Sequence, residues 1–279
     1  MPEGGELRHC ADVLSADLTN LIILRCEMNF NKMKSNYLPN GPNNINLVEK
    51  STIKKIYSKG KKLIFELLLP NSSVVYMVSS LGMTGKWLYK SKQHTSFSFK
   101  IVKVVNNIYV HKYNLHYDDV RKFGSLDIYL SEADMNNKLD EKVGPDFLAG
   151  EVVLENYIKE IQKSKKQISV FMLDQEKFSG VGNYLRAEIL YLAKINPFRI
   201  SNTLTVEEIT QIYNFSIDRI DVAYKARGLS FSDYEDPYGR DGSYDPLIYD
   251  KKISPEGYNI KKEKTSDGRT IHWVSEIQI

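Results

Sequence analysis

The second residue of the chain could act as a nucleophile. Removal of the initiator methionine before Pro2 would leave a secondary amine as the free N-terminus. An α-amino group titrates near pH 8, so roughly a tenth of it is neutral and nucleophilic at pH 7. Lys61 would lower this pKa further, because two nearby cations disfavour each other. A secondary amine that attacks an aldehyde-like sugar carbon forms an iminium ion, which eases elimination at the adjacent carbons.

Two carboxylates follow this amine. Glu3 and Glu6 stand where a carboxyl group could carry protons to and from a sugar oxygen. The alternative is an ordinary start of the chain, since many proteins begin Met-Pro-Glu. Residue types alone therefore leave both interpretations open.

Two other stretches could bind phosphate. Gly180 and Gly182 directly precede a predicted helix, where glycines and a helix N-terminus can gather backbone amides around an anion. Asn183 could add an amide hydrogen bond, and Arg269, in a closing turn, could donate to a phosphate as a planar cation. A tight interhelical turn and a solvated arginine are the alternatives.

Bulky side chains also stand in two glycine-flanked turns, residues 80–85 and 119–124. Met83, Arg121 and Phe123 on exposed loops would need a partner to cover them. On DNA, such side chains can fill the gap left by an extruded nucleotide. The alternative is that Met83 and Phe123 are core residues under a hairpin.

The elements that must position these residues change type along the chain. An apolar stripe at Leu7, Cys10, Ala11 and Leu14 predicts a first helix. Glycine and proline predict a loop through residues 39–44. Short strands separated by turns predict a β-sandwich or barrel. The predicted strands are 21–24, 62–69, 74–78, 97–105, 108–113 and 126–130.

After Ser131 the pattern becomes helical. Leu154, Tyr157, Ile158 and Ile161 form another stripe. Thr205 and Glu208 have the spacing of a capping box, followed by a helix that stops near Gly228. A β-like stretch at 269–277 ends the chain. The predicted domains are a β domain at 1–130, a linker at 131–150, a helical domain at 151–228 and a hairpin module at 229–279.

Composition excludes several protein classes. The 279 residues suggest two domains, and no apolar run is long enough for a membrane helix. The N-terminus lacks the basic-then-apolar order of a signal peptide, so we expect an intracellular protein, in cytoplasm or nucleus. The two cysteines exclude a disulfide scaffold and an all-cysteine zinc site. The net charge of +3 is slight, but clustered lysines would bind a polyanion if they share one face; separate solvated patches are the alternative.

The order and spacing of these features over nearly the whole chain resemble the formamidopyrimidine-DNA glycosylase and endonuclease VIII family of base-excision repair. The start at 2–4 and the stretch 180–190 are the most specific matches. Residues 182–190, together with that start, look closer to the endonuclease VIII branch. The matching stretches are 2–4, 60–63, 81–85, 119–124, 143–146, 173–175, 180–190 and 268–270.

The resemblance implies an α+β multidomain protein. An N-terminal β-sandwich would bear the catalytic helix, and a C-terminal helix-two-turn-helix domain would carry a finger hairpin. Pro2 would form a Schiff base, Glu3 would move protons, Glu6 would support it, and Lys61 would contact phosphate and assist catalysis. Asn183, Arg269 and Gly182 would contact the DNA backbone. Met83, Arg121 and Phe123 would fill the space left by the extruded nucleotide.

Three departures from the family pattern matter. Lys122 stands where the formamidopyrimidine branch has a second arginine, and Ser80 where it has a histidine. Gly5 replaces a proline, which should loosen the N-terminal turn. Zinc-binding members carry four finger cysteines, whereas this chain has none after Cys26, and Val274 and Ile277 align with the last two ligand positions. We therefore expect no metal and a zincless finger, with Arg269 still presented. The side chains expected to hold it by packing are Tyr258, Ile260, Trp273 and Val274.

The expected activity is that of a bifunctional DNA glycosylase and AP lyase without a cofactor. It would remove oxidised bases, pyrimidines above all, and nick the strand by β,δ-elimination. Its partner would be damaged double- or single-stranded DNA, with no membrane, and the protein would be a monomer. The alternatives are a catalytically silent binder of damaged DNA and an unrelated N-terminal-proline enzyme acting on a small carbonyl compound.

Overall fold

The computed structural model describes residues 2–29, 42–230 and 234–279. The described chain forms two compact units. The first unit holds Pro2 with the described residues of 6–140 and 230–242. The second unit holds residues 3–5, 141–229 and 243–279.

Helices and strands are distributed unevenly along the chain. The α-helices are α1 (Gly4–Leu18), α2 (Glu132–Asp140), α3 (Leu154–Lys163), α4 (Ile168–Phe171), α5 (Asn183–Leu192) and α6 (Val206–Lys225). Short 3₁₀ helices span Pro42–Val48 and Ser201–Thr203. The first eight strands are β1 (Ile22–Met28), β2 (Ser51–Lys59), β3 (Lys62–Leu68), β4 (Val74–Ser80), β5 (Lys86–Leu88), β6 (Thr95–Val105), β7 (Ile108–Asp118) and β8 (Ser125–Tyr129). The last two are β9 (Lys261–Lys264) and β10 (Thr270–Trp273).

The β-sandwich predicted for the first unit is confirmed. Its strands pair antiparallel in the order β5-β7-β6-β1-β2-β3-β4-β8. Phe65 on β3 packs on Trp87 on β5 with ring centroids 5.6 Å apart, although four strands separate them in the sheet. The Trp87 indole also donates to the Ser79 hydroxyl on β4. The two ends of the sheet therefore face each other across one core.

Helix α1 forms as the stripe predicted. Leu7, Cys10, Ala11 and Leu14 are all buried, and they join the core of the sandwich. A helix that packs one apolar face on a sheet is stabilised mainly by that burial. The predicted first helix is confirmed.

Parts of this unit were not predicted from the sequence. Strand β2 was not predicted because Lys54 and Lys55 interrupt its alternation, and the structure has a register irregularity between Ile53 and Lys55 there. Pro42 begins a 3₁₀ helix where a loop was expected, since proline suits the first turn of a helix. The other residues of that predicted loop, 39–41, lie outside the described residues.

The second unit is mainly helical. Tyr157 and Ile161 bury the predicted stripe of α3. The capping box is confirmed: Thr205 accepts from the Glu208 amide, and Glu208 accepts from the Thr205 amide. The stretch 131–150, predicted as a linker, contains α2 and belongs to the first unit up to Asp140. No helix in the described ranges is long and apolar enough to cross a membrane.

The hairpin β9–β10 packs on α5. Trp273 and Val274 are buried there and Ile260 is partly buried, as expected. Tyr258 does not belong to this packing, because 44% of it is exposed. The expectation for Tyr258 is therefore wrong: it precedes the strand, in a turn closed by the Ser254 amide on the Tyr258 carbonyl.

Candidate active site

The Glu3 carboxylate caps the start of helix α5. It is 1% exposed and accepts the amides of Gly182 at 2.7 Å, Tyr184 at 3.0 Å and Leu185 at 3.4 Å. A helix N-terminus offers free amides and a partial positive charge, which stabilise an anion. The amide gathering expected for phosphate therefore exists, but a carboxylate of the same chain occupies it. The Gly182 amide is directed at Glu3.

This arrangement requires glycine at position 182, because no side chain fits there. A Cβ atom at Gly182 would lie 2.2 Å from the Glu3 carboxyl carbon. Its backbone is extended, with φ −129° and ψ −157°, so conformational freedom is not the reason. Any larger residue at this position would displace the Glu3 carboxylate.

Gly4 and Gly5 begin α1 in close contact with other backbone. The Gly4 amide donates to the Gly180 carbonyl at 2.9 Å, and a Cβ at Gly4 would lie 2.9 Å from the Gly180 Cα. A Cβ at Gly5 would lie 2.9 Å from the Tyr224 amide nitrogen on α6. Both glycines are helical, and their lack of side chains permits this packing. The expected loosening of the N-terminal turn at Gly5 stays a prediction.

The other proposed catalytic residues lie in the first unit. Pro2 and Glu6 are buried, and Met1 lies outside the described residues. Lys61 is partly exposed in the hairpin turn that joins β2 to β3, directly after Gly60 with φ +54°. The structure thus places Pro2, Glu6 and Lys61 in one unit and Glu3 in the other.

The loops that carry Met83, Arg121 and Phe123 are adjacent. Met83 is 37% and Phe123 51% exposed, which excludes the alternative that they are core residues. Arg121 is exposed as well, with its guanidinium 5.0 Å from the centre of the Phe123 ring. A Cβ at Gly82, which has φ +58°, would lie 2.7 Å from the Phe123 carbonyl carbon. The two loops therefore lie side by side, and all three side chains are exposed on them.

Buried Asp119 holds these two loops together. Its carboxylate accepts from the Thr84 hydroxyl at 2.6 Å and from the amides of Arg121 at 3.2 Å and Gly124 at 2.8 Å. A carboxylate with three donors in a buried setting is well satisfied and fixes its partners. Asp119 lies in the glycine-flanked turn 119–124, but only the structure shows that it binds both loops.

The second unit brings Asn183 to the finger hairpin. The Asn183 side-chain amide donates to the Thr270 carbonyl at 3.3 Å, next to Arg269. Arg269 follows Gly268, which has φ +79°, and 58% of its side chain is exposed beside Asp267. Asn183 and Arg269, two of the residues predicted to contact the DNA backbone, are thus linked at the start of β10.

Sequence reasoning missed two buried charges on α5. Arg186 donates to the Ser169 carbonyl at 3.0 Å, and burial lowers the pKa of its guanidinium to about 10. Glu188 accepts the amides of Leu247 at 2.6 Å, Ile248 at 3.0 Å and Tyr249 at 2.9 Å, and burial raises its pKa. Both connect α5 to distant segments, for which local spacing gives no signal.

The finger lacks the donors of a zinc site. Val274 and Ile277, at the aligned ligand positions, have apolar side chains that cannot coordinate zinc. In the part of the chain that the structure describes, no three His, Cys, Asp or Glu side chains are grouped to hold a metal ion. The Glu256 carboxylate, in the turn before β9, accepts from the Tyr191 hydroxyl. The residues present do not fit a zinc ion.

Two protein-family models match the chain. Residues 1–126 match the formamidopyrimidine-DNA glycosylase N-terminal domain, and residues 143–234 match the formamidopyrimidine-DNA glycosylase H2TH domain. The formamidopyrimidine-DNA glycosylase of Bacillus anthracis is 31% identical over 216 residues, which cover 75% of this chain and 74% of that protein. That of Ligilactobacillus salivarius is 30% identical over 198 residues, covering 69% and 67%.

Solved structures agree over almost the full length. The complex of Lactococcus lactis Fpg with DNA containing an abasic site has a TM-score of 0.84 and 25% identity, covering 99% of both chains. The complex of the wild-type Lactococcus lactis protein with DNA containing an oxidised pyrimidine has a TM-score of 0.85 at the same identity and coverage. The leaning towards the endonuclease VIII branch stays a prediction. The chain therefore belongs to the formamidopyrimidine-DNA glycosylase family of base-excision repair enzymes.

Proposed function

We propose that this protein is a bifunctional DNA glycosylase and AP lyase whose nucleophile is the secondary amine of Pro2. The amine would attack the sugar carbon that bears the damaged base, the glycosidic bond would break, and the base would leave with a proton. The C1′–O4′ bond would then open as the ring oxygen takes up a proton, and the iminium ion formed in this way would acidify the neighbouring carbon. Loss of a proton from that carbon would expel the 3′ phosphate, and loss of a second proton, from C4′, would expel the 5′ phosphate, which nicks the strand.

The observation that carries this proposal is the placement of Glu3. Its carboxylate directly follows the proposed nucleophile in the chain, is buried and is held by three backbone amides. A fixed carboxylate is suited to carry a proton to the sugar ring oxygen and to return it. Glu6, also buried and one helical turn further, supports the same chemistry.

The DNA contacts proposed for this chain divide into two kinds. Lys61, Asn183 and Arg269 would bind phosphates, which position the strand without reading its sequence. Met83, Arg121 and Phe123 are exposed in the free protein and would enter the space left by an extruded nucleotide. Gly182 would act on DNA indirectly, since its amide binds Glu3.

The substrate we propose is damaged DNA with an oxidised base, with pyrimidines favoured. The Lactococcus lactis relative has been solved with DNA containing an oxidised pyrimidine, which supports this class of lesion. The preference for pyrimidines rests on the endonuclease VIII-like stretch 182–190. Excision rates on duplexes with thymine glycol and with a ring-opened purine test it: faster excision of the purine would contradict it.

We also propose that the finger is zincless. The buried side chains of Ile271, Trp273 and Val274 pack on α5 and supply the stability that a metal supplies elsewhere. Elemental analysis of the purified protein should find no stoichiometric zinc, and a chelator should leave the melting temperature unchanged. One zinc ion per chain would refute the proposal.

Borohydride trapping tests the activity. Borohydride reduces an iminium ion between protein and abasic DNA to a stable covalent bond. The protein with a native N-terminus should form this adduct, and Pro2→Ala, whose terminus is a primary amine of different geometry, or an N-terminal tag should reduce or abolish it. Tight binding of abasic DNA without any adduct would instead favour the silent DNA-binding protein.

A further inference from the structure

Residues 234–240, here called the α1 strap, lie along helix α1 within the first unit. The Tyr234 hydroxyl donates to the Glu6 carbonyl at 3.0 Å, in the first turn of α1. The Tyr238 hydroxyl donates to the Asp17 carboxylate at 2.7 Å, in the last turn. Because residues 6 and 17 are eleven apart, close to three full turns, they share one face of the helix. The strap therefore contacts α1 near both of its ends.

Asp236 gives the strap its shape. Its carboxylate, 1% exposed on the side chain, accepts the amides of Tyr238 at 2.9 Å and Arg240 at 3.0 Å, and the Arg240 guanidinium at 2.7 Å. One of its oxygens also lies 3.7 Å from His9 Nε2 on α1. A buried carboxylate with these donors is well satisfied and fixes the turn that closes around it.

The other side of the strap is fixed to the sandwich. Glu235 pairs with Lys86 at 2.9 Å and with Lys92 at 2.5 Å. The Pro237 carbonyl accepts the Tyr89 amide at 2.8 Å. These contacts hold the strap against β5 and its following turn, so it can act as a brace for the helix.

Among the strap contacts with α1, that of Tyr234 with Glu6 lies nearest in the chain to the proposed nucleophile, Pro2. It is 2% exposed and belongs to the core cluster that includes Leu7 and Cys10. A carbonyl oxygen has two lone pairs, and a helical bond uses only one of them. The Tyr234 hydroxyl can therefore bind Glu6 without disrupting the helix, four residues after Pro2.

We propose that Tyr234 is a positioning residue for Pro2, which it serves by fixing the first turn of α1. This inference rests on the proposed function of Pro2. A nucleophile must stand close to its target carbon and in line with it, and a displacement of about 1 Å can cost about 10²-fold in rate. Fixing the turn that follows Pro2 limits such displacements.

The test compares two tyrosines of the same strap. Tyr234→Phe removes the hydroxyl on the first turn of α1, and Tyr238→Phe removes the hydroxyl on the last turn. Three quantities are measured: the melting temperature, the affinity for a duplex with a tetrahydrofuran abasic analogue, and the single-turnover rate of borohydride-trapped adduct at saturating abasic duplex. Tyr234→Phe should slow adduct formation about tenfold, with affinity unchanged. Tyr238→Phe should leave that rate within about twofold of wild type.

Asp236→Asn provides a second variant if Tyr234→Phe does not fold. It weakens the strap without touching Glu6 and should also slow adduct formation at unchanged affinity. Equal trapping rates in wild type, Tyr234→Phe and Asp236→Asn would overturn the inference. Equal slowing by Tyr234→Phe and Tyr238→Phe would also overturn it, because it would indicate general destabilisation. Absence of any adduct in wild type would refute the proposed function instead.

Discussion

At the scale of single residues, Glu3 combines a proposed catalytic role with an observed structural one. It is a proposed proton carrier, and its carboxylate also joins the start of the chain to residues 182–185, about 180 residues away in sequence. The sequence indicated a carboxylate near Pro2 and an anion site before α5. It could not indicate that one fills the other, because neither local spacing nor periodicity reports a contact over that separation.

Replacing Glu3 should therefore affect chemistry strongly. Glu3→Gln retains the shape but cannot carry a proton, and general acid–base groups contribute about 10²–10⁴-fold. We expect single-turnover excision of thymine glycol to fall at least about 10²-fold. Gly182→Ala should also lower excision, because its Cβ would displace the carboxylate. The exposed Glu132→Gln is the control, and excision by Glu3→Gln at the rate of that control would contradict the role.

Phe123 allows function to be separated from stability. Because it is 51% exposed, Phe123→Ala should change the melting temperature little. A side chain that fills a void in a base stack is needed in duplex DNA and much less in single strands. We therefore expect Phe123→Ala to slow excision from duplex substrate more than excision from single-stranded substrate, each rate compared with that of wild type. Ile108→Ala, at an apolar position that is 67% exposed, is the matched control; equal effects of both variants would argue against the void-filling role.

At the scale of elements, the sequence predicted what short-range patterns determine. The stripe of α1, the capping box of α6 and most sandwich strands follow from periodicity and turn residues. Strand β2 was missed because its irregular register hides the alternation. The α1 strap was missed for another reason: Tyr234 and Asp236 have no periodic pattern, and only their tertiary contacts give them a place.

The finger hairpin should be sensitive to acid through His272. Its side chain is buried, its ring centre lies 4.8 Å from that of Tyr249, and Lys262 and Asp250 are the charged groups that face it. Burial, and then Lys262, lower the pKa of His272 below its ordinary value of 6.5, while Asp250 opposes the shift. At a pH below this ordinary value, the unfolded hairpin binds the proton more readily than the folded hairpin does. The stability of the folded hairpin therefore decreases as the pH falls, and it levels off at a pH above that value.

Hydrogen exchange measures this effect. The opening free energy of the β9–β10 amides, corrected for intrinsic exchange, should fall between about pH 7 and pH 5 in wild type. The dependence should weaken in His272→Gln and persist in His111→Gln, whose histidine is exposed on β7. A wild-type hairpin whose opening energy is flat over this range would show that His272 protonation is not linked to its folding.

At the scale of the whole molecule, the net charge of +3 is too small to account for DNA affinity by itself. Local cations must supply the phosphate contacts, and each contact releases bound counterions. Arg269→Ala should therefore weaken binding and reduce the slope of log affinity against log salt by about 0.9. The matched control is Lys112→Ala at an exposed hairpin lysine, and an unchanged slope for Arg269→Ala would contradict a phosphate contact.

The covalent link between Pro2 and deoxyribose is the central claim, and peptide mass spectrometry of the borohydride-reduced adduct tests it most directly. We predict that the active protein begins at Pro2 and that the sugar remnant is attached to the Pro2 nitrogen. An adduct on a lysine side chain, or full activity in protein that keeps Met1, would contradict the account.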